Sequence, residues 1–321
     1  MRLTHILVGF LALLLAACGG EKPGSLVVYS GRSKSLVDPI IAQFSERTGI
    51  PVEVRYGETA QLTVALAEEG DRTAADVFWA QDAGALGSLA DRLSQIPDTL
   101  LDRVPPSFRN SSGLWIATSG RARVLAYSPE RADTASLPRS IFDLSGPDYA
   151  YRVGWAPTNG SFQVHVTALR TLVGDDSTRS WLEAMKSNGA KSYQNNTAIV
   201  QAIADGEIDY GLPNHYYLYR FKSEDPNFPV AQTFFAEGDP GNLISVAGAG
   251  VLATSRQQDR AFQLLSFLLS QEAQRYFATE TFEYPVVGAV ETAVDLPEMD
   301  RLEEIAPDVD LESLQDLEGT L

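Results

Sequence analysis

The sequence predicts an α/β protein of two lobes with a cleft between them, and three observations carry that expectation. Short β-rich runs alternate with amphipathic helical stretches, the rhythm of a largely parallel sheet. That rhythm breaks at a polar stretch holding Pro105, Pro106 and the turn Asn110-Ser-Ser-Gly113, then resumes as a second series of similar size. At least two extended segments join the series, near residues 114–127 and 243–253. Ligands of such sheets sit outside the carboxyl ends of the strands, so the loops after the strands are where a site is expected.

The first series reads β-α-β-α-β. Residues 25–30 (SLVVYS) form a buried strand, and residues 35–48 place Leu36, Ile40, Ile41 and Phe44 at helical spacing before a stop at Gly49. Residues 51–56 alternate as a second strand; Thr59 is placed to cap a helix carrying Leu62, Ala65 and Leu66 and closed by Gly70; 76–79 (DVFW) is a third strand. Strands follow at 114–118 and 123–127. The second series has a strand at 152–156, helices at 161–173, 177–186 and 197–204, and a strand at 208–212. A glycine-punctuated β run at 243–253 leads into helices near 261–269 and 272–279. Residues 26–118 with 248–285 are expected to build one lobe, and 119–247 with 286–321 the other.

The start of the chain speaks to compartment. Arg2 precedes an apolar run over 6–17, too short to span a bilayer comfortably but suited to a secretory signal. It ends in Leu15-Ala16-Ala17-Cys18, which resembles a lipobox. That likeness implies a signal peptide at 1–17, a lipidated Cys18 as first mature residue and a flexible tether over 18–25; the alternative is an ordinary secretory signal with a chance cysteine. Cys18 is the only cysteine, so no disulfide forms within the chain. A formal charge of −17 argues against nucleic acid or an anionic membrane surface as partner, leaving membrane contact to the lipid alone.

Three histidines, one of them His5 in the leader, exclude an ordinary zinc or copper site. No G-x-S-x-G elbow, P-loop or G-x-G-x-x-G opens a helix after a strand, so the chain carries no enzyme signature. The unusual segment is Asn214-His-Tyr-Tyr-Leu-Tyr219, directly after the strand at 208–212. Asn214 is a good helix N-cap, which puts Tyr216 and Tyr217 in a first turn. A phenol is neutral at pH 7, but a small hard trication displaces its proton and takes the phenolate as a donor. Adjacent phenols at a loop-to-helix junction can point at one ion; the alternative is that they pack against the sheet. The loop Pro157-Thr-Asn-Gly-Ser161 offers free N–H groups at a helix start, an anion site or a simple cap. Arg121 could anchor the same anion or form a structural ion pair, while Asn196 and Asn214 are neutral donors nearby.

At these residues the chain resembles the ferric-iron-binding proteins of bacterial ABC importers, which have a type II periplasmic-binding-protein fold with a hinge and an interlobe cleft. The likeness runs through VVYSGRSKSLVDPIIAQFSERTGI at 27–50, ADVFWAQDAGAL at 75–86, SGRARVLAYSPER at 119–131, GWAPTNGSF at 154–162, NHYYLYR at 214–220, GAGVLA at 248–253 and EYPVV at 283–287. It implies Tyr216 and Tyr217 as ligands of Fe³⁺; Asn159, Gly160, Ser161, Asn196, Asn214 and Arg121 as holders of a synergistic carbonate or phosphate; and hinge segments near 118–121 and 245–248. The chain departs from the pattern at three places: Ser33 where some members have histidine, Gln81 where they have glutamate, and Phe162 where another subgroup has a third tyrosine. Tyr29, Tyr56, Glu58 and Asp82 are the remaining first-lobe candidates. Exogenous anion oxygens or waters are then expected to complete the metal's coordination.

The implied protein is a monomeric, lipid-anchored, extracytoplasmic receptor at the periplasm or cell surface that delivers Fe³⁺ to an ABC importer permease. Two rivals stay open. A receptor of the same kind for an organic or oxyanion solute (polyamine, thiamine, phosphonate, sulfate) would use the tyrosines as stacking walls. An enzyme or structural lipoprotein on the same fold is disfavoured by the scarcity of histidine.

Overall fold

The computed structural model describes residues 24–288, 290, 296–297, 299–315 and 319–320. The expected signal peptide, Cys18 and most of the 18–25 tether lie outside these residues. In chain order the elements of the first half are β1 (Leu26–Ser30), α1 (Lys34–Thr48), β2 (Val52–Tyr56), α2 (Thr59–Glu69), β3 (Val77–Ala80), α3 (Ala83–Gly87), α4 (Asp98–Leu101), β4 (Ile116–Ala122) and β5 (Leu125–Tyr127). The second half adds β6 (Val153–Trp155), α5 (Gly160–Val173), α6 (Asp175–Ser187), β7 (Lys191–Ser192), α7 (Asn196–Ala204), β8 (Tyr210–Gly211), α8 (Tyr216–Glu224), β9 (Ala231–Thr233), β10 (Ile244–Val251), α9 (Gln258–Leu268), α10 (Gln271–Glu280) and α11 (Met299–Ile305).

These strands form two five-stranded sheets, one in the order β2-β1-β3-β10-β4 and one in the order β7-β6-β8-β5-β9. In the first, β1 pairs in parallel with both β2 and β3, and β10 runs antiparallel between β3 and β4. Burial explains the sequence patterns. The central strand β3 is buried at every position and so reads as a continuous apolar run, whereas the edge strand β2 alternates half-buried with exposed residues. Helix α1 buries Val37, Ile40, Ile41 and Phe44 and stops at Gly49, whose φ of +71° is left-handed. Thr59 does not cap α2: it is the first helical residue, and its Oγ1 instead accepts from the Gln81 amide at 3.2 Å.

The chain passes from the first sheet to the second at Arg123 and Val124, between β4 and β5, and returns between β9 and β10. The two passages are tied where Arg123 N–H donates to the Leu243 carbonyl at 2.9 Å. After α10 the chain touches β4 again, with Tyr284 and Gly120 exchanging two backbone hydrogen bonds of 2.8 Å. The lobe boundaries expected at 118/119 and 247/248 fall inside β4 and β10, both of which belong wholly to the first sheet. The tail, expected in the second lobe, sends Leu302 and Ile305 into the first sheet's core, while Leu314 joins Ala168 and Leu243 with Val309 and Leu311 packed against them. Among the described residues no helix is long and apolar enough to cross a membrane.

Candidate metal centre

Strand β8 ends at Gly211, and Leu212, Pro213, Asn214 and His215 carry the chain into α8. Asn214 was expected to cap that helix. The residue at the cap is His215, without a side-chain bond to the helix start, and Asn214 Nδ2 lies 3.5 Å from the Tyr216 hydroxyl as its donor. Tyr216 and Tyr217 nevertheless occupy the first turn, as expected. Their ring centroids are 4.5 Å apart at an interplanar angle of 33°. The Arg220 guanidinium, one turn on, lies 4.8 Å from the Tyr216 ring centre and 5.4 Å from that of Tyr217. Tyr216 is buried and Tyr217 half-buried.

Both tyrosines line a cleft of about 660 Å³ whose other wall is the first lobe. Of the first-lobe candidates, Ser33, Tyr56, Glu58 and Gln81 reach it. Tyr56 is already committed: its hydroxyl donates to Asp38, and Lys34, paired with Asp38 at 2.6 Å, sits 5.2 Å from its ring centre. Burial and then the Asp38 carboxylate raise the Tyr56 pKa, which makes it a poor phenolate donor. Tyr29 does not reach the cleft; its hydroxyl donates to Glu69 at 3.0 Å and accepts from Arg55 at 2.8 Å. Asp82 does not either, and instead caps α3 by accepting from the Ala85 amide at 2.9 Å.

Behind the tyrosines lies a polar cluster at the start of α5 and α7. Ser161 Oγ donates to Asn159 Oδ1 at 2.6 Å, and Asn196 Nδ2 approaches the same oxygen at 3.4 Å. The guanidinium joined to this cluster is that of Arg123, a residue the sequence reading passed over. It donates to Asn196 Oδ1 at 3.0 Å, Ser161 Oγ at 3.1 Å and the Leu212 carbonyl at 2.8 Å. Arg121, expected in that role, is buried with its Nη1 lacking any hydrogen-bond partner. A Cβ added to Gly160 would meet nothing within 4 Å, so the space over the α5 N-terminus is open.

The electrostatics follow from burial. It pushes the Arg123 guanidinium down to about 10, the tyrosines opposing this and the like charge of Arg121 adding to it. Burial raises the Tyr217 pKa and Tyr216 beside it adds to the rise, while a hydrogen bond with Asn196 and the charge of Arg220 work the other way. Tyr217 therefore stays protonated at neutral pH until a cation displaces the proton. Among the described residues no group of three or more histidine, cysteine, aspartate or glutamate side chains could hold a metal ion.

Residues 74–306 match the family of bacterial extracellular solute-binding proteins. The chain belongs to that family. It is 33% identical to the major ferric iron-binding protein of Neisseria meningitidis, over 96% of this chain and 94% of the relative. It is 31% identical to the Fe(3+)-binding periplasmic protein of Serratia marcescens, over 96% and 92%. Among solved structures it superposes on iron-bound HitA from Pseudomonas aeruginosa with a TM-score of 0.83 at 33% identity, covering 93% of this chain and 97% of that one. A Trichodesmium protein in complex with iron and citrate gives 0.77 at 27% identity, over 91% and 95%. The family resemblance and the two-lobed α/β fold expected from the sequence both hold, and membership of a solute-binding family agrees with a binding protein, not an enzyme.

Proposed function

We propose that this solute-binding protein captures Fe³⁺ in the interlobe cleft through the phenolates of Tyr216 and Tyr217 and hands it to an ABC importer. The observation that carries the reading is the pair of phenols at the start of α8, side by side on the cleft and backed by the buried guanidinium of Arg123. Positive charge behind the rings favours their ionised form, and a hard trication favours it further. Relatives named for ferric iron support the choice of ion.

Two phenolates leave Fe³⁺ with net positive charge and open coordination positions. Asn159, Ser161 and Asn196, with the open N-terminus of α5 beside them, suit a small anion such as carbonate or phosphate. On this reading Asn214, on the Tyr216 hydroxyl, and the buried Arg121 serve the same anion. Ser33 and Gln81 face it from the first lobe as neutral groups, and Glu58 is the one acid on that wall. In the same reading Cys18 carries a lipid that holds the protein outside the cytoplasm, and the monomer closes its lobes on the ion.

The test is the visible spectrum of apo protein titrated with ferric citrate in carbonate or phosphate. A phenolate-to-iron charge-transfer band is expected, strongly reduced in Tyr216→Phe and in Tyr217→Phe. An unchanged band in the double substitution removes the assignment. One observation favours a second reading: Arg32, Lys34 and Arg220 all line the cleft, which suits an anionic solute. That reading expects tight binding of an organic or oxyanion solute by calorimetry, with no visible band on adding iron.

A further inference from the structure

We infer that His215 is a positioning residue for the tyrosine pair, fixing the first turn of α8 against the end of β4 and the segment 282–284 that lies beside β4. This rests on the reading of Tyr216 and Tyr217 as iron ligands. His215 is wholly buried and immediately precedes Tyr216. Its backbone N–H donates to the Ala122 carbonyl at 3.0 Å, and its ring Nδ1 accepts from the Ala122 amide at 3.1 Å. A backbone N–H can only donate, so Nδ1 carries the lone pair and Nε2 the proton. That proton goes to the Phe282 carbonyl at 2.7 Å. The ring also stacks on Tyr284, with centroids 3.9 Å apart at 16°. One imidazole thus joins the end of β4, the segment 282–284 and the start of α8.

The segment 282–284 is itself held in place. Phe282 adopts φ +57°, a left-handed conformation that strains a non-glycine residue and persists only where surroundings fix it. Its neighbour Glu283 is tied to Arg32, a cleft-lining residue of the first lobe, at 2.7 Å. The carbonyl that receives the His215 proton is therefore located from the first lobe, through the neighbouring Glu283. Within α8 the ring meets only the edges of Tyr216 and Tyr219, at 5.5 and 6.1 Å, whereas both its hydrogen bonds and its stacking on Tyr284 reach outside the helix. What they determine is where its first turn, and hence the two hydroxyls, stand. Placement of donor atoms to within about half an ångström is what metal affinity and spectrum respond to.

His215→Phe keeps an aromatic ring for Tyr284 and loses both ring hydrogen bonds; His215→Gln keeps an N–H near the Nε2 place. With ferric citrate and carbonate, His215→Phe is expected to bind iron ten- to a hundredfold more weakly and to move the charge-transfer maximum, and His215→Gln to restore part of both. A folded His215→Phe with wild-type affinity and band position overturns the inference, whatever its melting temperature. A second measurement needs no variant. In wild-type protein labelled with ¹⁵N-histidine, the Nε2–H signal in contact with the Tyr284 ring is expected to shift when diamagnetic Ga³⁺ is added to saturation. An unmoved signal overturns the inference as well. A wild-type protein with no band at all overturns the iron reading itself, and this inference with it.

Discussion

Replacing Glu283 by Ala should be among the most damaging single changes in the molecule. Glu283 is 3% exposed and Arg32 2%, and the two are joined at 2.7 Å. The same carboxylate oxygen accepts from Ser119 Oγ at 2.8 Å and Thr281 Oγ1 at 3.3 Å, while Arg32 Nη1 donates to Ser119 at 2.8 Å. Burial alone would raise the Glu283 pKa, but Arg32, with Arg121 and Ser119 behind it, holds it below the usual carboxylate range. The group is therefore ionised at neutral pH. Without it Arg32 is a buried cation left with Ser119 alone, its Nε already unpartnered. Breaking a buried pair from one side costs about 3–5 kcal/mol, a large part of a typical stability of about 5–15 kcal/mol. Urea unfolding followed by circular dichroism measures the loss. The double variant Arg32→Met/Glu283→Leu, which removes both charges and keeps volume, should cost less than Glu283→Ala alone. A loss under about 1 kcal/mol in Glu283→Ala, or a double variant costing the sum of the two singles, refutes the reasoning.

Other perturbations follow from the same geometry. His165 is buried with Nε2 donating to the Pro240 carbonyl at 2.8 Å, and burial lowers its pKa to about 3 from 6.5. A lowered folded pKa means that the unfolded chain binds the proton first, so stability is lost as pH falls from about 6.5 toward 3, by about 3 kcal/mol at pH 4.5 for this group. His165→Phe should flatten the acid limb of unfolding midpoint against pH. Iron uptake should release protons in weakly buffered solution, at least the one that burial holds on Tyr217; release of none counts against phenolate ligation. Gly31→Ala would set a Cβ 2.1 Å from Thr59 Oγ1, in the loop leading to the cleft, and should cost about 1–3 kcal/mol by chemical denaturation. Arg123→Lys cannot reach Asn196, Ser161 and the Leu212 carbonyl together, and should weaken iron binding at least tenfold in carbonate or phosphate, by spectrophotometric titration.

The fold was legible because burial leaves a period in the sequence: α1 shows its buried stripe, and β1 and β3 their two covered faces. The tyrosine pair was legible because two adjacent phenols directly follow a strand. Its neutral neighbours Asn159, Ser161, Asn196 and Asn214 were legible too, but the guanidinium that joins them was not. Arg121 and Arg123 lie two apart on extended chain and so share a face, and only the end of β4 at Ala122 decides which one joins the cluster. Thr59 and Asn214 look like caps, but such side chains serve whichever acceptor or donor tertiary structure brings closest, here the Gln81 amide and the Tyr216 hydroxyl. Tyr29 was misjudged because its strand turns it toward Arg55 and Glu69 instead of the cleft. His215 meets Phe282 across 67 positions, and Arg32 meets Glu283 across 251, separations at which no pattern in the chain can speak.

The two walls of the cleft differ in kind, and that difference shapes how cargo leaves. On the proposed reading the second lobe provides both phenolate ligands and the anion cluster, whereas the first faces them with Ser33, Gln81, a committed Tyr56, the cation Lys34 and a single acid, Glu58. Parting the lobes then breaks few bonds to the metal, and Fe³⁺ can remain on α8 in the open form. Opening by itself does not release it; protonating the phenolates or losing the anion does, since either leaves the trication without charge compensation. Gln81→Ala should accordingly change the rate at which a chelator strips iron by less than about threefold, whereas Asn159→Ala with Ser161→Ala should raise it more than tenfold. Equal acceleration by both would mean that the first lobe contributes a ligand in the closed state, and that closure rather than the anion governs retention.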